Sequence, residues 1–147
     1  MPNSWEFKQS LFTKLSRSFA WKFWSNLKNH AELEGVTIEL DGPFQTGTKG
    51  RTITTNSRQE WVLSEVIDEK RFVITGREAN FGLSFAWEFE DEGTGVRMTH
   101  IISADGSDAE MRKWECTLHQ MELNAPKSLE RLVAELNRLS GDGPKYA

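Results

Sequence analysis

Hydrophobic and polar residues change period several times along this chain, and the changes divide it into elements. Trp5, Phe7 and Leu11 alternate with polar neighbours, which predicts a strand over 5–11 with one buried face. Phe19, Ala20, Phe23, Trp24, Leu27 and Ala31 then recur at helical spacing behind Ser16, a residue suited to capping them. Asn29-His30 predicts a break into two short helices. Period two returns at Val36, Ile38 and Leu40 and stops at Asp41-Gly42-Pro43, where Gly and Pro punctuate a turn.

Strand-like runs follow at 49–55, 59–67, 71–76 and 81–89. The last alternates most clearly, with Phe81, Leu83, Phe85, Trp87 and Phe89 on one face. Asp91-Glu92-Gly93-Thr94-Gly95 reads as a hairpin connection to a strand whose apolar face holds Val96, Met98, His100 and Ile102. On the 71–76 run two parities stay open: Thr75 with Arg77 face inward, or Phe72 with Ile74 do. Strands spaced this closely favour an antiparallel sheet over βαβ units, which need a helix between parallel strands.

The C-terminal third reads as one long helix over about 108–140. Ser107 and Glu110 fit a capping box. From Trp114 through Leu118, Met121, Ala125 and Leu129 to Leu139, apolar residues recur at steps of three or four and form a narrow stripe. Pro126 lies inside the helix and predicts a kink near 122–125, and Gly141 and Gly143 end it. The order predicts an α+β fold: a curved six- or seven-stranded antiparallel sheet, about 4–103, wrapped around the long helix, with two short helices after the first strand. No repeat or linker divides the chain, so one domain over 1–147 is expected. A bent sheet gripping a single helix leaves a space between them unless large side chains fill it.

Composition adds one departure, six Trp and nine Phe against a single Tyr. Large rings are plentiful and hydroxyls that could orient a polar ligand are few. The net charge of −4 argues against a nucleic-acid partner. It is unevenly spread, with five Lys/Arg and one acid in residues 1–30. Cys116 stands alone, so no intrachain disulfide forms and a reducing cytoplasm is the expected compartment. No apolar run approaches the roughly 20 residues of a membrane-spanning helix, so no membrane insertion is expected, and MPNSWEFKQS is too polar for a signal peptide.

Several segments resemble the SRPBCC superfamily, whose helix-grip fold is shared by the birch-pollen allergen, START lipid-transfer domains and bacterial polyketide cyclase/dehydratase-like proteins. They are FAWKFWSNLKNHAEL, LDGPFQTGTKGR, the strand GVRMTH and SLERLVAELNRL. The second, with its Asp-Gly-Pro-Phe and Gly-Thr-basic-Gly pattern, is similar to small bacterial cyclase-like members. The resemblance spans nearly the whole chain. It implies the helix-grip fold and, because the superfamily holds carriers, enzymes and chaperone cofactors alike, no single chemistry.

The expected cavity lies between sheet and long helix. Phe85 and Trp87 on one strand, Met98 and His100 on the next, and Trp114, Leu118 and Met121 on the helix point into one space, either as filling or as the lining of a pocket. Trp61 and Leu63 join this wall, although Val62 and Val66 on the other parity leave that assignment open. His100 sits at an apolar parity, either as a hydrogen-bonded core histidine or as a group that meets a ligand carbonyl and moves a proton. Arg51 is the second catalytic candidate, able to fork onto a carboxylate or enolate; its alternative is a surface ion pair with an acid such as Glu39.

Other motifs fail. Gly47-Thr48-Lys49 has the Lys and Thr in the wrong order for a phosphate loop, and Gly93-Thr94-Gly95 lacks a dinucleotide fingerprint's third glycine. His30, His100 and His119 have no zinc spacing, and Cys116 falls opposite the apolar stripe. No metal or cofactor is therefore expected. The expected function is binding of a hydrophobic or amphipathic small molecule, in a monomer or homodimer. One alternative, implied by the resemblance, is a cyclase- or dehydratase-like enzyme using His100 or Arg51. Another is a protein-interaction module with a filled cavity and an apolar patch around Trp21 and Leu123.

Overall fold

The structure is a computed structural model that describes residues 4–78 and 80–139. Seven strands form one antiparallel sheet in the order β1-β7-β6-β5-β4-β3-β2. β1 is Ser4–Thr13, β2 Thr37–Leu40, β3 Lys49–Ile53, β4 Arg58–Ile67, β5 Arg71–Glu78, β6 Phe81–Glu92 and β7 Gly95–Gly106. Two short helices, α1 (Arg17–Ser25) and α2 (Leu27–Glu34), follow β1, and α3 (Asp108–Leu139) follows β7. α3 lies along the inner face of the sheet, and α1 and α2 close one end beneath it.

The helix break falls at Asn26 rather than at Asn29-His30. Asn26 ends α1 in an extended conformation, and its side-chain oxygen accepts from the Lys28 N–H to start α2. Asn29 and His30 instead fold back on the end of α1. The Asn29 amide donates to the Phe23 carbonyl at 2.8 Å, and His30 Nε2 lies 3.2 Å from the Trp24 carbonyl. These two polar side chains satisfy carbonyls that a helix end leaves open, so they join the helices rather than break them. Gly35 then stops α2 at φ +70°, a conformation that glycine adopts without strain.

α3 runs through Pro126 for 32 residues; the predicted end at 140 and the stops at Gly141 and Gly143 lie outside the described residues. Ser107 Oγ accepts from the Glu110 N–H at 3.2 Å, while the Ser107 N–H donates to the Asn80 carbonyl. A backbone carbonyl thus takes the N–H that the Glu110 side chain would cap in a full box.

β4 carries a register shift between Leu63 and Glu65. Leu63 pairs with Ile74 and, one residue of slip later, Val66 pairs with Phe72. The bulge at Ser64 resolves the conflict of parities along this strand: Trp61 and Leu63 face the core before it and Val66 packs on the core after it. On β5 the inward pair is Phe72 and Ile74.

The main core gathers around Trp24, Phe72, Leu63, Met98, Leu136 and Val96, each essentially without exposed surface. Trp21 belongs to it. Its ring meets Phe89 edge-on at 5.4 Å and Phe72 at 5.9 Å, and it is 7% exposed. The apolar surface patch expected at Trp21 is therefore not formed, although Leu123 is exposed.

Candidate functional site

Register places the inward side chains of the sheet in transverse ranks. Gln9, His100, Trp87, Phe72 and Val66 are successive partners across β1, β7, β6, β5 and β4. The neighbouring rank is Phe7, Ile102, Phe85, Ile74 and Leu63. Above them, a cavity of about 490 Å³ opens between the sheet, α2 and α3. Its floor is Phe72, Ile74, Phe85, Trp87, His100 and Ile102. Leu27 and His30 of α2 form one wall, and Met121, Ala125 and Leu132 of α3 the roof. Thr117, Gln120 and Asn124, exposed on α3, line its α3 side, and Glu34 of α2, a further lining residue, pairs with Arg131 of α3 at 3.2 Å.

Phe85, Trp87, His100 and Met121, expected to share one space, do so. Leu63 and Met98 do not line it: both lie at 0% exposure, sealed beneath neighbouring side chains as core. Leu118 is likewise buried, in a smaller cluster with Phe81 and Ala104. Trp114 stacks flat on Phe81, centroids 4.5 Å apart, at the far end of α3. Trp61 turns toward that far end, its indole N–H donating to Thr52 Oγ1 at 2.9 Å. Its ring lies over Gly50, where an added Cβ would come within 2.5 Å of the indole.

Arg51 is removed as a catalytic candidate. Strand alternation sends Thr52 to the cavity and Arg51 to the opposite face of β3. There its guanidinium binds Asp41 at 2.6 Å, Glu39 at 3.0 Å and Glu60 at 3.4 Å. The hydrogen bonds it donates to Asp41 and then to Glu39 push its pKa further above the usual guanidinium range. An Arg51→Gln variant should bind cavity ligands as the parent does while unfolding at a lower temperature, because three carboxylates lose their shared cation. A loss of affinity in calorimetric titration would put Arg51 back in the site.

The histidines carry the polar chemistry of the cavity. His100 stacks on Trp87 with centroids 3.9 Å apart and planes within 3°. The Gln9 amide nitrogen lies 3.4 Å from His100 Nδ1. An amide nitrogen only donates, so Nδ1 accepts and the ring proton sits on Nε2. His30 has the complementary arrangement: Nε2 donates to the Trp24 carbonyl, which leaves Nδ1 as an acceptor. Burial lowers the His30 pKa to about 4 against the opposing pull of the Trp24 carbonyl. Burial, aided by the nearness of His30, lowers that of His100 to about 3. At neutral pH both rings are uncharged, one with a free donor and the other with a free acceptor.

His30 and Gln9 have no place in the site read from the sequence, yet each left a signal there. His30 follows Leu27 by three residues and precedes Ala31 by one, on the inward stripe of α2. Gln9 sits between Phe7 and Leu11 at the apolar parity of β1. Among the described residues no three metal-ligating side chains converge, and no helix is long and apolar enough to cross a membrane.

No family model matches the chain, and no curated protein matches it. Solved structures do. Norcoclaurine synthase from Thalictrum flavum superposes with a TM-score of 0.68 at 14% identity, over 93% of each chain. The di-domain ARO/CYC StfQ of the steffimycin biosynthetic pathway gives a TM-score of 0.71 at 12% identity over 94% of this chain, which spans 52% of StfQ. TTHA0849 from Thermus thermophilus gives 0.61 at 20% identity, over 88% of this chain and 98% of that one. This is the helix-grip fold. Helix-grip sheets bend around one helix, and here the bend leaves the histidine-floored cavity beneath the middle of α3.

Proposed function

We propose that this helix-grip chain binds a hydrophobic or amphipathic small molecule in the cavity, with a carbonyl or hydroxyl of the ligand meeting the histidines. The observation that carries this reading is a space of about 490 Å³, floored by aromatic and aliphatic side chains, in which the two ring groups are uncharged. Such a volume and lining suit a drug-sized apolar ligand with one or two polar atoms. His100 Nε2–H donates to a ligand oxygen and His30 Nδ1 accepts from a ligand hydroxyl.

A cyclase-like enzyme, the other reading that the fold neighbours suggest, has less behind it. A general base works best with a pKa near the working pH, and these histidines sit near 4 and 3. Arg51 faces away. Binding makes use of neutral histidines directly, whereas proton transfer at neutral pH is hampered by them.

Titration with 1-anilinonaphthalene-8-sulfonate and displacement by a methyl ketone test this reading. Both should bind, and Trp87 emission should change as they do. His100→Phe keeps a flat ring on Trp87 but removes the donor, so the ketone should weaken by about tenfold, the loss of one hydrogen bond in a dry site, while the naphthalene probe is little affected. Failure of both probes to bind would overturn the reading. Native mass spectrometry of gently purified protein, followed by organic extraction, would identify a retained ligand.

A further inference from the structure

A second hollow, of about 380 Å³, lies at the other end of the inner face, under the start of α3. Its apolar lining is Trp61, Phe81, Leu83 and Trp114, together with Ile74 and Phe85. Those last two also line the first cavity, so they face both spaces. They are direct register partners across β5 and β6.

The ranks of the sheet explain why. The rank that separates the two spaces is Phe7, Ile102, Phe85, Ile74 and Leu63. Leu63 and Ile102 are buried at 0% and 3%, whereas the middle pair, Ile74 and Phe85, keep partly exposed side chains. The next rank toward the second hollow contains Ala104, Leu83 and Gly76, partners across β7, β6 and β5. Ala104 is buried in the cluster with Leu118, whereas Gly76 has no side chain to fill the space above it and borders the hollow beside the half-buried Leu83. A large pair in one rank and a glycine in the next make a ridge with a hollow behind it. On the facing helix, Met121 lines the first cavity and Trp114 the second. Seven residues of helix separate them, about 10 Å at 1.5 Å per residue.

We propose that the ligand site is a two-lobed channel and that the Phe85–Ile74 ridge sets the length of molecule it accepts. This rests on the binding reading above and adds the specificity-determining residues. With the ridge in place, the first lobe holds the polar end and a short apolar body. With it removed, an extended alkyl chain passes beneath α3 into the second lobe, where Leu83 and the stacked Phe81–Trp114 rings receive it.

The test is a competition series against 1-anilinonaphthalene-8-sulfonate using methyl ketones with hexyl, decyl and tetradecyl chains. For the parent protein, affinity should stop rising between the hexyl and tetradecyl members. Phe85→Ala should raise the ratio of tetradecyl to hexyl ketone affinity by about tenfold or more, since each further buried methylene adds a several-fold gain. Ile74→Ala should act in the same direction with a smaller effect, and Phe85→Trp should weaken the longer ketones. Phe85→Leu, which keeps most of the packing, serves should the alanine variant fold poorly; circular dichroism checks each. If all chain lengths shift together, or the length profile is the same in every variant, the ridge does not set length and the proposal falls while the binding reading stands. If the parent binds none of the probes, the binding reading itself fails and takes the ridge with it.

Discussion

Lowering the pH from 6.5 toward 4 should steadily destabilise this protein. His30 and His100 have folded-state pKa values of about 4 and 3, against an ordinary value of 6.5 once unfolded. Above pH 6.5 both states carry neutral rings and no difference arises. Below it the unfolded chain takes up protons that the native cavity refuses. Stability then falls by up to about 1.4 kcal/mol per pH unit for each histidine, until the native rings protonate as well. The cavity opens to solvent, which trims this ceiling, but a loss of a few kcal/mol is large beside a typical domain stability of about 5–15 kcal/mol.

The carboxylates act in a different window. Glu60, Glu92 and Glu135 are held below their usual 4.5, chiefly by hydrogen bonds from Arg58, Arg97 and Arg138 respectively. Their contribution is present above pH 4.5 and is lost only below it. Urea unfolding at steps between pH 7 and 4.5 therefore isolates the histidines. A His30→Gln/His100→Gln variant should show a much flatter profile there; equal slopes in parent and variant would show that the rings are not held neutral by burial.

Trp87→Ala should cost about 3–5 kcal/mol, as expected of a buried aromatic cut back to a methyl group. Trp87 is 6% exposed. Its ring stacks on His100 and packs against Trp24 at 5.3 Å with a 60° tilt, so it ties the floor of the cavity to the plug formed by α1. The loss corresponds to a fall in Tm of about 10–20 °C for a domain of this size. It would also free the face of His100 and enlarge the cavity, so ligands that fit the parent should bind more weakly. Trp87→Phe retains a stacking face and should lose less on both counts. Calorimetric unfolding of the two variants checks this, and an alanine variant within about 1 kcal/mol of the parent would contradict it.

Much of the architecture was readable because local periodicity and burial agree. Alternation from Phe81 to Phe89 identified the inner face of β6, and the same face carries Phe85 and Trp87 in the folded chain. The long stripe on α3 predicted the face that lies on the sheet, with Cys116 outside it. Misreadings occurred where a polar side chain makes a bond to distant backbone. Asn29 and His30 read as breakers because their partners, the Phe23 and Trp24 carbonyls, come within reach only after α1 and α2 fold against each other. The two parities of β4 stayed unresolved because a bulge at Ser64 changes the parity midway, and one strand read alone does not reveal its partner's register.

The sequence by itself determined the element order, the inward face of most strands, the grip of the sheet on α3 and the outward placement of Cys116. All of these follow from which residues repeat at two or at three and four, and that is a local property. Only the tertiary structure decided which rings fill space and which border it. Met98 and Leu63 share their parity with His100 and Trp61, yet the first two are sealed and the others line hollows. The difference arises because a curved sheet and one long helix separate by unequal amounts along their length, which no single element encodes. The packing of α2 against β2 and α3 brought His30, seventy residues from His100, onto the cavity it lines.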